Sequence, residues 1–280
     1  MSKYVDLHSH LQFEDFNEDR EKVIAHMRDE GVVTINVGTT IETSVAGLEL
    51  AKQYPEVCYA TVGLHPVYVD EADEESGLEA LISGNSSSQL VGIGECGMDF
   101  FRTKHVEEEK YAEDVDNVAQ EKVFENQIEL AQKYNLPLML HVRDSYQKTL
   151  SILSKYFKKG EIEYRGNAHF FVGTTEEAQA FLDLGFSISF TGVITFVKAY
   201  EDLVRFVPLD RMFAETDSPY VSPVPHRGKR NTPVHVIDIY KKIAEIKQIP
   251  LEVVKETLYR NACKYWLKDR PVDNNGLAFQ

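Results

Sequence analysis

Short apolar runs alternate with amphipathic stretches along almost the whole chain. The runs at 4–8, 32–38, 57–64, 90–95, 138–142, 166–170, 186–190 and 212–216 read as strands buried on both faces, the pattern of a parallel sheet. Between them, helical periodicity predicts helices at 19–30, 41–54, 121–134, 146–157, 175–185 and 200–207. Two more, at 233–247 and 251–266, follow the eighth run. Pro233 is expected at the first position of its helix, with Thr232 as the N-cap.

Strand–helix alternation implies parallel pairing through right-handed crossovers. Eight such units predict an α/β fold, a single (β/α)8 TIM barrel over 1–268 with a C-terminal tail at 269–280. A doubly wound open sheet is the alternative. The 280 residues suit one barrel, which needs roughly 250. One stretch, 103–119, breaks the rhythm with Glu107, Glu108, Glu109, Glu113, Asp114 and Asp116. It reads as a solvated loop or short helix, with a lid over the site as the second option.

Composition narrows the setting. Cys58, Cys96 and Cys263 are too widely spaced for a disulfide framework or a thiolate zinc site, which predicts a reducing, cytoplasmic compartment. No apolar run is long enough to span a bilayer and no secretory signal opens the chain, so no membrane association is expected. Nothing in the sequence calls for an obligate protein partner. The formal charge of −15 argues against tight wrapping of a long duplex, yet a local basic patch beside bound cations is still able to hold a few phosphates.

The chemistry shows in where metal-ligand residue types fall. His8 and His10 close the first strand, in the order Asp6-Leu-His-Ser-His10, and share one side at this spacing. Glu95 is expected to end the fourth strand, His141 the fifth, His169 the sixth and Asp217 the eighth. In a barrel these ends converge on one mouth, where active sites of this fold lie. Four imidazoles and two carboxylates suffice for one or two divalent ions and suit zinc, manganese, iron or nickel, less specifically magnesium, with Glu95 able to bridge two. Asp217 is then placed to take a proton from the attacking water. Glu215, on the same face as Asp217, is a candidate to orient a histidine. His65 and Arg143 fall beside the mouth as substrate-binding candidates, and Arg227 and Lys229 lie in the basic loop Pro225–Asn231, suited to phosphate. Cys96 reads as a buried thiol, and His26, His105 and His235 as outside the site.

These segments resemble the TatD family of metal-dependent deoxyribonucleases, within the amidohydrolase-like barrels. The matching pieces are Asp6-Leu-His-Ser-His-Leu11, Gly63-Leu-His-Pro66, Gly94-Glu-Cys-Gly-Met-Asp99, His141-Val-Arg-Asp144, Glu215-Thr-Asp-Ser-Pro-Tyr220 and Arg227-Gly-Lys-Arg-Asn-Thr-Pro233. The resemblance implies the same six metal ligands. It further implies hydrolysis of phosphodiesters in DNA, often from a 3′ end, with Mg, Mn or Zn. The chain departs from the family pattern at Ser9, at Gln12, where an Asp is usual, and in His169-Phe-Phe-Val-Gly173. The partner expected is therefore DNA or another phosphodiester. The alternatives are an amide or ester hydrolase, including an aminoacyl-ester deacylase, and a non-catalytic metal-binding barrel.

Overall fold

A computed structural model describes residues 3–69, 74–85, 87–101, 113–160 and 163–267. Eight parallel strands stand in one sheet in chain order: β1 (Tyr4–Ser9), β2 (Val32–Val37), β3 (Cys58–Val62), β4 (Leu90–Asp99), β5 (Leu138–Arg143), β6 (Gly166–Ala168), β7 (Phe186–Phe190) and β8 (Met212–Ala214). Helices fill the connections: α1 (Arg20–Glu30), α2 (Ile41–Gln53), α3 (Glu74–Ser83), α4 (Glu113–Tyr134), α5 (Tyr146–Tyr156), α6 (Thr175–Asp183) and α7 (Glu201–Phe206). After β8 come α8 (Val236–Lys247) and α9 (Leu251–Tyr265). The architecture is a (β/α)8 barrel, as the alternation predicts.

The ring is nearly closed, and polar contacts complete it between β8 and β1. The Asp217 N–H donates to the His8 carbonyl at 2.9 Å and the His10 N–H to that of Ser218 at 2.8 Å. Below them the buried Asp6 carboxylate accepts from the Thr216 N–H at 2.6 Å and from its hydroxyl at 2.7 Å. Each end of the chain thus supplies half of the seam.

Two apolar clusters hold the barrel. The larger packs outer strand residues such as Ile93, Leu140 and Ile188 against helix residues such as Phe124, Ile152 and Phe181. The smaller gathers Val5, Val33, Tyr59, Val91, Met139 and Phe213, near the strands' N-terminal starts, with Trp266 and Leu267. A Cβ on Gly92 would lie 2.6 Å from the Trp266 ring, so the absent side chain is what admits the indole. An apolar lower end leaves the opposite mouth for polar residues.

Several local expectations are corrected. The fourth strand runs on to Asp99, four residues beyond Glu95, because β5 pairs with it from Ile93 to Asp99. Helix α3 has no counterpart in the sequence reading. Helix α4 begins at Glu113, so 113–119 of the acidic stretch are helical, while 102–112, His105 among them, lie outside the described residues. Pro233 does open the helical segment with Thr232 at its N-cap position, but that first turn, Pro233–His235, is 3-10, Thr232 makes no side-chain cap, and the regular helix starts at Val236. The tail at 269–280 also lies outside the described residues. Among the described residues, no helix is long and apolar enough to cross a membrane.

Candidate metal centre

The mouth is built around Glu95. Its Oε1 lies 2.8 Å from His141 Nδ1, 2.9 Å from His169 Nε2 and 3.4 Å from His65 Nε2. Its Oε2 faces His8 Nε2 at 3.4 Å and His10 Nε2 at 3.8 Å. Asp217 Oδ1 meets the same two imidazoles, at 3.7 Å from His8 and 3.5 Å from His10. Three overlapping groups able to hold a cation result among the described residues: His8, His10 and Asp217; His8, Glu95 and His169; and His65, Glu95 and His141. All six residues named from the sequence come together. His8 and His141 lie within their strands, His10, His169 and Asp217 just past theirs.

Backbone geometry aims these groups. Gly97 adopts φ 138°, and a Cβ there would stand 2.1 Å from the His141 carbonyl, so the close β4–β5 approach that sets Glu95 against His141 requires glycine. Asp217 itself has φ 53°, in the left-handed region that Asp tolerates better than most residues. That turn brings its carboxylate back over β1.

Hydrogen bonds fix which imidazole nitrogen is available. His10 Nδ1 lies 2.9 Å from the Val37 carbonyl, to which it donates, leaving the Nε2 lone pair for a cation. The Val37 carbonyl also accepts from Gln12 Nε2 at 2.8 Å. His141 Nε2 faces Asp99 Oδ2 at 3.0 Å, which leaves Nδ1 for the centre. His169 Nδ1 lies 3.3 Å from Glu215 Oε1, and Glu215 accepts from the Phe170 N–H at 2.6 Å and the Ser189 hydroxyl at 2.6 Å. Glu215 thus stands against the ring nitrogen of His169 turned away from Glu95, where its position suggested, within ion-pair distance but without a hydrogen bond to Nδ1. Asp99 holds the corresponding place at His141 and was not singled out, although it closes the Gly94–Asp99 segment. The donor set fits hard-to-borderline divalent cations, with imidazoles pre-set by carboxylates and carbonyls as metal-binding histidines are.

His65 is different. Its Nδ1 accepts the Val67 N–H at 3.2 Å, so in the neutral ring Nε2 carries the proton and serves as a donor rather than a ligand. Burial, followed by the field of His141, pushes its imidazole down to about 4, which keeps it neutral.

Electrostatics match the layout. Burial pushes the Glu95 carboxyl up, but the fields of His65, His169 and His8 outweigh that and hold it well below the usual carboxylate range. Burial also opposes charge on His169, yet Glu95 and Glu215 raise it well above the usual imidazole value. The same contest raises His141 through Asp99 and Glu95, and His10 through Asp217 and Glu95. His8 is lowered by burial and by His169, stacked on it with ring centroids 4.0 Å apart.

The centre opens into a cavity of about 490 Å³ whose walls include Phe13, Tyr68, Phe170, Tyr220 and Arg143. Arg143 stands 3.7 Å over the Phe101 ring, and among the described residues it has no carboxylate partner. Arg227 and Lys229 do not line the cavity. His26 sits on the surface beside Glu30, and Cys96 is a buried thiol, both as the sequence indicated.

A (β/α)8 barrel with this imidazole–carboxylate mouth has the make-up of a metal-dependent hydrolase. The family model described as TatD related DNase matches residues 5–267. An uncharacterized metal-dependent hydrolase, YabD of Bacillus subtilis, is 34% identical over 260 residues, covering 92% of this chain and 96% of that protein. A 3′-5′ ssDNA/RNA exonuclease TatD of Pantoea ananatis is 30% identical over 269 residues, covering 92% and 97%. The crystal structure of YJJV, a TatD homolog from Escherichia coli, superposes with a TM-score of 0.82 at 25% identity, covering 94% and 97%. The chain belongs to the TatD family of metal-dependent hydrolases.

Proposed function

We propose that this protein is a deoxyribonuclease that removes nucleotides from the 3′ end of a DNA strand, using one or two divalent ions. The observation that carries the reading is the position of Arg143. Among the described residues that line the cavity it is the one Lys or Arg, braced on Phe101 beside the metal centre. An oriented guanidinium at that place suits a phosphate oxygen. The exonuclease name of the Pantoea relative points the same way, and the three buried, free cysteines suit a cytoplasmic setting.

Ions held by His8, His10, Glu95, His141, His169 and Asp217 would supply water activation and charge neutralisation. The chain's own residues do the rest. Arg143 orients the phosphodiester by a non-bridging oxygen. Asp217, held below the usual carboxylate range by His10 and His8 against the upward push of burial, stays ionised and takes the proton of the attacking water. His65 donates from Nε2 to the phosphoryl group as charge develops there. The aromatic walls exclude bulk water from the reacting atoms.

The test is hydrolysis of end-labelled single-stranded DNA by wild type and Glu95→Ala, with Mg or Mn and with EDTA. Stepwise shortening from the 3′ end that needs metal and disappears in the variant is expected. Intact DNA in the presence of metal-loaded wild type would overturn the assignment and direct attention to carbonyl esters and amides.

A further inference from the structure

The basic loop after β8 follows directly on Tyr220 and Val221, which line the cavity. The Arg227 guanidinium lies 3.9 Å over the ring of Phe196, and its Nη1 donates to the Ser222 carbonyl at 2.8 Å. Phe196 is 39% exposed and the neighbouring Val224 47%, an apolar surface open to solvent. The two loops that carry the pair are joined. The Val224 N–H donates to Thr195 Oγ1 at 2.9 Å, and a Cβ on Gly192 would stand 2.6 Å from the Val221 carbonyl. Glycine therefore lets the backbones meet. The plate is carried by the same two loops as Val193 and Val221, which line the cavity.

Charge marks the same place. On a chain of net −15, Arg230 is paired with Asp19 at 2.7 Å. Its neighbours Arg227 and Lys229, both exposed, have no carboxylate partner among the described residues. A rigid aromatic–guanidinium plate with Lys229 in the same loop complements a flat ring attached to a phosphate.

We propose that Phe196 and Arg227, with Lys229, form a second subsite for the nucleotide adjoining the one cleaved. Its unpaired base stacks on the plate and its phosphate pairs with the cations. This rests on the phosphodiesterase reading and goes beyond it, because it makes a single strand longer than one nucleotide the preferred substrate. Stacking on a ring or a guanidinium plane tolerates any base but needs an unpaired one.

The experiment compares kcat/KM of the full-length, metal-loaded enzyme for thymidine 5′-(p-nitrophenyl phosphate) and for a short oligothymidylate. Wild type favours the oligonucleotide. Phe196→Ala lowers the oligonucleotide-to-mononucleotide ratio about tenfold, and Phe196→Trp restores it. Arg227→Gln reduces the salt slope of oligonucleotide binding by about 0.7. If Phe196→Ala turns over both substrates with an unchanged ratio, the subsite is absent while the phosphodiesterase reading stands. If Phe196→Trp fails to restore the ratio, alanine acts through the loop rather than through stacking, and the proposal falls. If wild type turns over neither substrate, both readings fall together.

Discussion

Oδ2 of Asp99 lies 3.0 Å from Nε2 of His141, the ring nitrogen turned away from Glu95. Asp99 is itself held: the Phe101 N–H donates to its Oδ1 at 2.9 Å, and Gln120 brackets its backbone at 2.9 and 3.1 Å. The carboxylate therefore sets both the tautomer and the tilt of His141.

Asp99→Ala is expected to weaken divalent-ion affinity by about tenfold to a hundredfold while leaving the fold intact. Asp99→Asn, which keeps the shape but not the charge, should fall between. Competition against a chromophoric chelator measures both, and wild-type affinity in the alanine variant would show that His141 needs no orienting partner.

Proton release should accompany metal uptake. Burial lowers His10, His141 and His169, but nearby carboxylates outweigh it and raise all three. An imidazole must give up its proton before its lone pair binds a cation, so affinity falls as the pH drops toward and below these raised values. Calorimetric titration of zinc or manganese in buffers of differing ionisation enthalpy counts the protons released. Affinity that stays level across the neutral range would contradict the assignment.

Asp6→Ala should loosen the seam of the barrel. It removes the acceptor of the Thr216 N–H and hydroxyl, and of the Thr34 hydroxyl at 3.3 Å, all buried. Leaving such donors without an acceptor costs about 1–3 kcal/mol. Urea unfolding should show the loss, and Thr216→Val, which removes only the hydroxyl, should lose less.

His235 predicts an acid-side loss of stability. It stacks on His226 with centroids 3.8 Å apart, its Nδ1 lies 2.9 Å from Asn231 Oδ1, and Asp238, Lys229 and His26 act on it from neighbouring elements. Burial, with His226 next, lowers it from 6.5 to about 4. The unfolded chain then binds a proton that the folded chain refuses, so stability declines as pH falls from 6.5 toward about 4 and levels off below. His235→Gln should flatten that part of the Tm-against-pH curve relative to wild type. Parallel curves would remove His235 from the account.

Much of this molecule was legible in its sequence because burial on both faces writes strands as apolar runs. All eight runs became strands, and the six ligand-type residues met because strand ends in a closed ring have nowhere else to go. Helix α3 was missed because Gly77 and Ser83 interrupt a short, weakly patterned stretch. The extension of β4 through Gly94, Cys96 and Gly97 was missed for a different reason. Glycine disfavours strands, and here pairing with β5 overrides that preference. Asp99 stayed hidden with it, since its orienting role depends on that extension and on a partner 42 residues away. Arg227 and Lys229 fall outside the cavity wall because the segment that carries them is held to Thr195 and Phe196, a contact between non-adjacent loops that no local pattern records.

The seam between β1 and the turn after β8 also sets a timetable. His8 and Asp217 share one cluster of ligand atoms and are joined through backbone, yet the ribosome adds 208 residues between them. During synthesis the earlier strands emerge and pair first, while the last carboxylate of the site is still missing. The ligand set is therefore complete only once Asp217 has been added, and a chain that stops just short of it carries all four imidazoles but no complete centre.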